Sequence, residues 1–291
     1  MAFQPANSLR SRTFVGLILS QFLAAFNDQA IHASAMFYAI HHHSQPLTEA
    51  QAISLMPILF YAPWAIFATW AGYFADRYSK RYSLVAWKVL ELVICGVALA
   101  GFAIGYTAPN SQLGPRIVLS TVFLMGMHSA FFVPAKYGVM PEILTPQLLS
   151  RGNGVLESTS FLAVILGTVC GGMLSFVFKG HEYYIGVILT VLAAIGVAFS
   201  MLIETMPAAS PERPFPWNPV TPLFRNLSLM LRARPLALAV LGIAFFTFMV
   251  AFMRATMYMH GESRIPRWSE FKTSAVVATV ALGIGLGSPL A

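Results

Sequence analysis

Asp28 and His32 stand one helical turn apart in an apolar run that begins near Thr13. At 1.5 Å per residue, Asp28 lies about 22 Å along that run, near the middle of a bilayer or just beyond it. An ionisable side chain at that depth costs about 2.5–3.5 kcal/mol on insertion scales, so it pairs or faces water. Two chemistries suit the pair: a local Asp28–His32 hydrogen bond that serves packing, or a cavity-facing site for a cation or a polar headgroup. The second is the stronger reading, because both groups are costly in lipid. Arg254 raises the same question among Phe245, Phe246, Phe248, Met249, Phe252 and Met253. It either snorkels to an interface or faces a cavity, where its forked guanidinium suits a phosphate bidentately.

Other charges have nearer partners. Lys88 and Glu91 are spaced i, i+3, so they are expected to pair with each other. Lys136 and Glu157 lie near the same end of consecutive apolar segments, and a pair between them is expected, either as a gate or as a structural tie. His128 reads as a packing residue. Cys95 and Cys170 lie in apolar segments without CxxC spacing or neighbouring ligands, and read as free thiols. His41-His42-His43 could bind a metal, but without acidic or cysteine partners it reads as a solvated loop. Gly167 with Gly171-Gly172 forms a G-x-x-x-G, expected to allow close helix packing. There is no Walker loop, Gly-x-Ser-x-Gly or His-Glu-x-x-His, so neither covalent chemistry nor a cofactor is expected.

The elements that position these groups follow from composition. Of 291 residues, 57% are hydrophobic and 10% are charged, against about 25% charged in soluble domains. That argues against a soluble domain, a disordered chain and a disulfide scaffold. Apolar runs of the roughly 20 residues that cross a bilayer fall at 13–40, 52–75, 82–106, 116–140, 153–178, 183–203 and 236–259, with another starting near Ala275. They are continuous rather than alternating, so they predict helices and not barrel strands. A polar stretch carries Pro207, Pro211, Pro214, Pro216, Pro219 and Pro222. It divides the chain into a six-helix half (1–204), a linker (205–235) and the start of a second half (236–291).

The net charge of +7 does not point to nucleic acid, since no basic cluster is interleaved with aromatics. It reflects loop asymmetry. Arg10, Arg12, Arg77, Lys80, Arg81, Lys136, Arg151, Arg213, Arg225, Arg232 and Arg234 fall on one side, 11 of the 18 Lys and Arg residues. Arg116, Lys179, Arg264, Arg267 and Lys272 fall on the other, while Lys88 and Arg254 lie within apolar runs. The rule that cytoplasmic loops are basic then predicts a cytoplasmic N-terminus and linker.

Between the second and third runs the chain reads Gly72-Tyr73-Phe74-Ala75-Asp76-Arg77-Tyr78-Ser79-Lys80-Arg81. This resembles the G-x-x-x-D-R loop signature of major facilitator transporters, which have two six-helix halves joined by a cytoplasmic linker. In that reading Gly72 lets two helices approach closely, and Asp76 meets helix N-termini or arginines and locks one conformation. Arg77, Lys80 and Arg81 hold the loop in the cytoplasm. The plainer alternative is a basic loop that only sets topology.

A second block reads Val133-Pro134-Ala135-Lys136-Tyr137-Gly138, then Pro141-Glu142, and later Asn153-Gly154-Val155-Leu156-Glu157. With Phe26-Asn27-Asp28, it resembles the lysophospholipid transporter (LplT) family of bacterial inner membranes, over about residues 14–260. The resemblance implies an all-α, major facilitator-type bundle. This chain would supply the six-helix N-terminal half plus one complete and one partial helix of the C-terminal half. It implies alternating access for lysophospholipids bound for reacylation, with membrane lipid around the path and an acyltransferase/acyl-carrier-protein synthetase as partner or fused neighbour. Asp28, His32 and Arg254 would meet the substrate or a coupling cation; family members carry an arginine matching Arg254. The gating set would be Gly72, Asp76, Arg77, Lys80, Arg81, Lys136 and Glu157. Three further readings stay open: a proton-coupled drug exporter of the same superfamily, the membrane module of an acyltransferase–synthetase fusion, and an inactive fragment.

Overall fold

The computed structural model describes residues 8–42, 44 and 47–287. Ser11 opens the first membrane helix by accepting a hydrogen bond from the Phe14 amide at 3.3 Å, satisfying one of the orphan donors of a helix start. Thr48 and Gln51 form a capping box at the start of the second. The chain then runs as α1 (Arg12–His41), α2 (Glu49–Arg77), α3 (Lys80–Thr107), α4 (Leu113–Gly138), α5 (Met140–Ile143), α6 (Pro146–Val177) and α7 (Tyr183–Ser200). It continues with α8 (Val220–Arg232), α9 (Arg234–Ser263) and α10 (Glu270–Gly287). Among the described residues, 7 helices are long and apolar enough to cross a membrane: α1, α2, α3, α4, α6, α7 and α9.

Every expected run is a helix, but the bounds differ: α7 ends at Ser200, short of its run, while other helices start ahead of theirs. α6 begins at Pro146, seven residues before the apolar run. Its first turns carry Gln147, Ser150, Arg151 and Asn153, which stay helical beyond the hydrocarbon. α10 likewise begins with the charged Glu270 and Lys272 flanking Phe271. Hydropathy detects the part that lipid must wet, not the part that is helical.

α1 lies at the centre, packed against α4, α6 and α7, while α3 packs on α4 and α7, and α2 on α4. Glycines set the closest approaches. A Cβ on Gly171 would fall 2.7 Å from the Ala30 carbonyl oxygen, and one on Gly167 would strike the Phe26 carbonyl. The G-x-x-x-G therefore seats α6 on α1, as its spacing predicts. Gly172 faces the other way, against Ser274 of α10, so α6 is held between the two. A Cβ on Gly72 would meet nothing within 4 Å among the described residues.

The ends of the helices form two separate polar clusters. At one end the Glu204 amide donates to Thr13 Oγ1 (3.2 Å) and Arg81 donates to Thr205 Oγ1 (2.8 Å). At the other, His41 stands 3.2 Å from both Glu262 and Glu270. Arg267 reaches the same two carboxylates at 3.4 and 3.3 Å, and Lys179 reaches Glu270 at 3.2 Å. His41 is thus the last residue of α1 in an ion-pair cluster that ties α1 to α9 and α10. It is not part of a solvated loop, because the glutamates that partner it arrive from far along the chain. His43 lies outside the described residues.

Candidate functional site

Asp28 and His32 share a face of α1 but do not bond to each other. Ser129 Oγ of α4 donates to Asp28 Oδ2 at 2.5 Å, while Asp28 Oδ1 has no hydrogen-bond partner among the described residues. His32 stands edge-on to Phe60, with ring centroids 5.9 Å apart.

The two residues open onto different spaces. Asp28 lines a cleft of about 380 Å³ between α1, α2, α4 and α6, together with Gln21, Ser129, Lys136, Tyr137 and Ser160. His32 lines a narrow groove of about 50 Å³ between α1, α2 and α9, together with Met36, Met56, Arg254 and Tyr258. Gln29, Phe60 and Tyr61 border both spaces, so the cleft and the groove adjoin there. Pro57 and Pro63 interrupt the hydrogen-bond ladder of α2, and Pro57 lines the groove.

Arg254 turns inward. Its Nη2 donates to Gln29 Oε1 at 2.9 Å, which takes one of five N–H donors, and the residue lines the groove beside Tyr258. The snorkelling alternative needed the side chain to climb toward an interface. Gln29, near the middle of α1, holds it at depth instead.

Lys136 and Glu157 do not form the expected pair. Lys136 Nζ donates to Gln21 Oε1 at 3.3 Å and to Ser160 Oγ at 3.2 Å. Glu157 accepts from the Tyr137 hydroxyl at 2.5 Å. The lysine is 7% exposed and points between α1 and α6, whereas Glu157 sits on the rim of the bundle. Lys88 and Glu91 do pair, at 2.5 Å with both side chains fully buried. Asn27 donates to the second Glu91 oxygen at 2.9 Å. His128 is fully buried and stacked on Phe132.

The two sequence blocks meet at the basic end of the bundle. Lys80 Nζ donates to the Ala75 carbonyl at 2.6 Å and lies 3.4 Å from Glu142. Its side chain crosses Gly138, where a Cβ would fall 3.0 Å from Lys80 Cε. Asp76 pairs with Arg213 of the linker at 2.5 Å, and its carbonyl accepts from the Ser210 amide at 2.8 Å. Arg77 closes α2 as the basic residue of its last turn, a favourable place for a cation.

Sequence reasoning passed over the neutral polar residues that organise the site: Gln21, Gln29, Ser129 and Ser160. Amides and hydroxyls raise no charge alarm in an apolar helix. The crowding of Gln21, Asn27, Asp28 and Gln29 into one membrane helix was the available signal.

An α-helical bundle with a buried polar site between its helices and an ion-paired loop at one end is the plan of a membrane transporter. The chain belongs to the Major Facilitator Superfamily, whose family model matches residues 17–291. It is similar to the lysophospholipid transporter LplT of Cronobacter sakazakii, at 29% identity over 225 residues, covering 76% of this chain and 50% of that protein. The LplT of Yersinia enterocolitica is 30% identical over 204 residues, covering 69% and 45%. The chain therefore spans about half the length of the curated relatives it matches. A POT family transporter crystallised with 5-aminolevulinic acid shares the fold, with a TM-score of 0.63 at 15% identity over 99% of this chain and 71% of that one.

Proposed function

We propose that the chain forms the N-terminal half and the start of the C-terminal half of a transporter that moves lysophospholipids across the bacterial inner membrane by alternating access. The observation that carries the reading is Arg254, held on Gln29 where the α2–α9 groove meets the cleft lined by Asp28 and Lys136. A lysophosphatidylethanolamine headgroup is a phosphate joined by a short linker to an ammonium. In this reading the phosphate meets the free side of the Arg254 guanidinium, and the amine, or a coupling cation, meets Asp28. The apolar α2–α9 groove takes the start of the acyl chain, and His32 borders it. Similarity to proteins named lysophospholipid transporters supports the substrate class.

The gate in this reading lies at the Asp76–Arg213 and Lys80–Glu142 pairs, with the N-terminus, the basic loops and the linker in the cytoplasm. The segments 1–204, 205–235 and 236–291 act as first half, linker and second-half start. Proteoliposomes carrying the complete reading frame should translocate fluorescent lysophosphatidylethanolamine. Efflux of a cationic drug without lysophospholipid movement would replace this reading with the exporter alternative.

A further inference from the structure

The segment between the halves contains a helix that the proline-rich composition did not foretell, and among the described residues no protein covers its apolar face. In α8, Val220, Leu223, Phe224, Leu227, Met230 and Leu231 recur at i, i+3, i+4 and i+7 and line one side. None of its residues is buried, and Phe224 is 62% exposed. Arg225 and Arg232 take the opposite side. No aspartate or glutamate occurs from Arg213 to Gly261, so this stretch carries only positive charge.

Two contacts fix its depth. Thr69 Oγ1 donates to the Pro219 carbonyl at 2.7 Å and Trp70 Nε1 to the Pro216 carbonyl at 3.2 Å. Both donors lie about two turns inside the end of α2 at Arg77, roughly 10–12 Å at 1.5 Å per residue. At its other end α8 leads, through Ala233 alone, into the membrane-spanning α9. A helix pinned at the membrane boundary at both ends, amphipathic and purely basic, has the features of an interfacial anchor.

We propose that α8 lies in the cytoplasmic-leaflet interface, with its apolar face in the headgroup–acyl boundary and Arg225 and Arg232 on anionic phospholipid headgroups. The attraction is electrostatic as well as hydrophobic. The site is a lipid-binding surface distinct from the translocation groove, and it exists whatever the transported substrate is.

The test uses the full chain, with Cys95 and Cys170 replaced by serine, purified into nanodiscs with and without phosphatidylglycerol. An environment-sensitive fluorophore is placed in turn at Leu227→Cys, on the apolar face, and at Leu229→Cys, on the polar face. Shallow doxyl-labelled lipid should quench the Leu227→Cys probe while a water-soluble quencher does not, and the Leu229→Cys probe should behave the opposite way. The lipid quenching should strengthen with phosphatidylglycerol, and the added Arg225→Gln/Arg232→Gln pair should abolish that increment. Equal reach of the aqueous quencher to both probes would overturn the proposal. So would a Leu227→Cys probe reached by neither quencher, which would mean that protein covers the face.

Discussion

Arg254 of α9 donates to Gln29 of α1 at 2.9 Å, a bond that joins α9 to the central helix of the bundle. Gln29 borders both the cleft that holds Asp28 and the groove that holds His32. Gln29→Glu should convert the bond to an ion pair that competes with an anionic substrate for the guanidinium. Lysophospholipid uptake should fall with membrane abundance unchanged, whereas unaltered uptake would remove Gln29 from the site.

The linker clasp gives a second expectation. Asp76 and Arg213 are 44% and 42% exposed, and exposed pairs contribute about 0.2–1 kcal/mol. Asp76→Asn and Arg213→Gln should therefore leave insertion and abundance normal, lower transport, and speed proteolysis between Thr205 and Pro219. Parent-like transport in both variants would show that the clasp has no part in the cycle.

Glycines in the two motifs should behave oppositely. Gly171→Val forces side-chain atoms into the Ala30 backbone and the Ala33 side chain, and overpacking of this kind costs about 1–3 kcal/mol. Its thermal stability in detergent should drop. Gly72→Ala enters open space and improves helix propensity by up to about 1 kcal/mol, so stability should hold or rise. A severe defect in Gly72→Ala would mean that the signature glycine is packed in another conformation.

Lys88 and Glu91 form a fully buried pair. Removing one partner strands the other charge, at about 3–5 kcal/mol. Lys88→Met alone should be strongly destabilised in a melting assay, and the Lys88→Met/Glu91→Gln double variant should recover much of the loss. No recovery would show that the two residues are held independently.

The prediction of sidedness rests on the distribution of Lys and Arg alone. Asn110→Cys, in the loop before α4, should react with an impermeant thiol reagent from outside intact cells, and Ser210→Cys should not. Labelling at Ser210→Cys would invert the topology.

The helices were legible in the sequence because lipid imposes a continuous apolar run, and the Lys88–Glu91 pair because three residues place two charges on one face. Long-range partnerships were not. The glutamates that hold His41 lie on α9 and α10, and the amide and hydroxyl that hold Lys136 come from α1 and α6. Spacing within one helix carries no information about which neighbour will face it. α8 escaped notice for another reason. A prolines-and-arginines reading registers a linker, while its apolar residues show their order only when placed on a helical face.

The central claim is that Arg254 grips a phosphate through its fork. Uptake of lysophosphatidylethanolamine by Arg254→Lys and by the parent, in the complete reading frame and normalised to protein in the membrane, tests it directly. Lysine keeps the charge but loses the bidentate geometry. Uptake should fall by about tenfold or more, the equivalent of losing about 1.4 kcal/mol. Equal uptake by the two proteins would contradict the phosphate clamp.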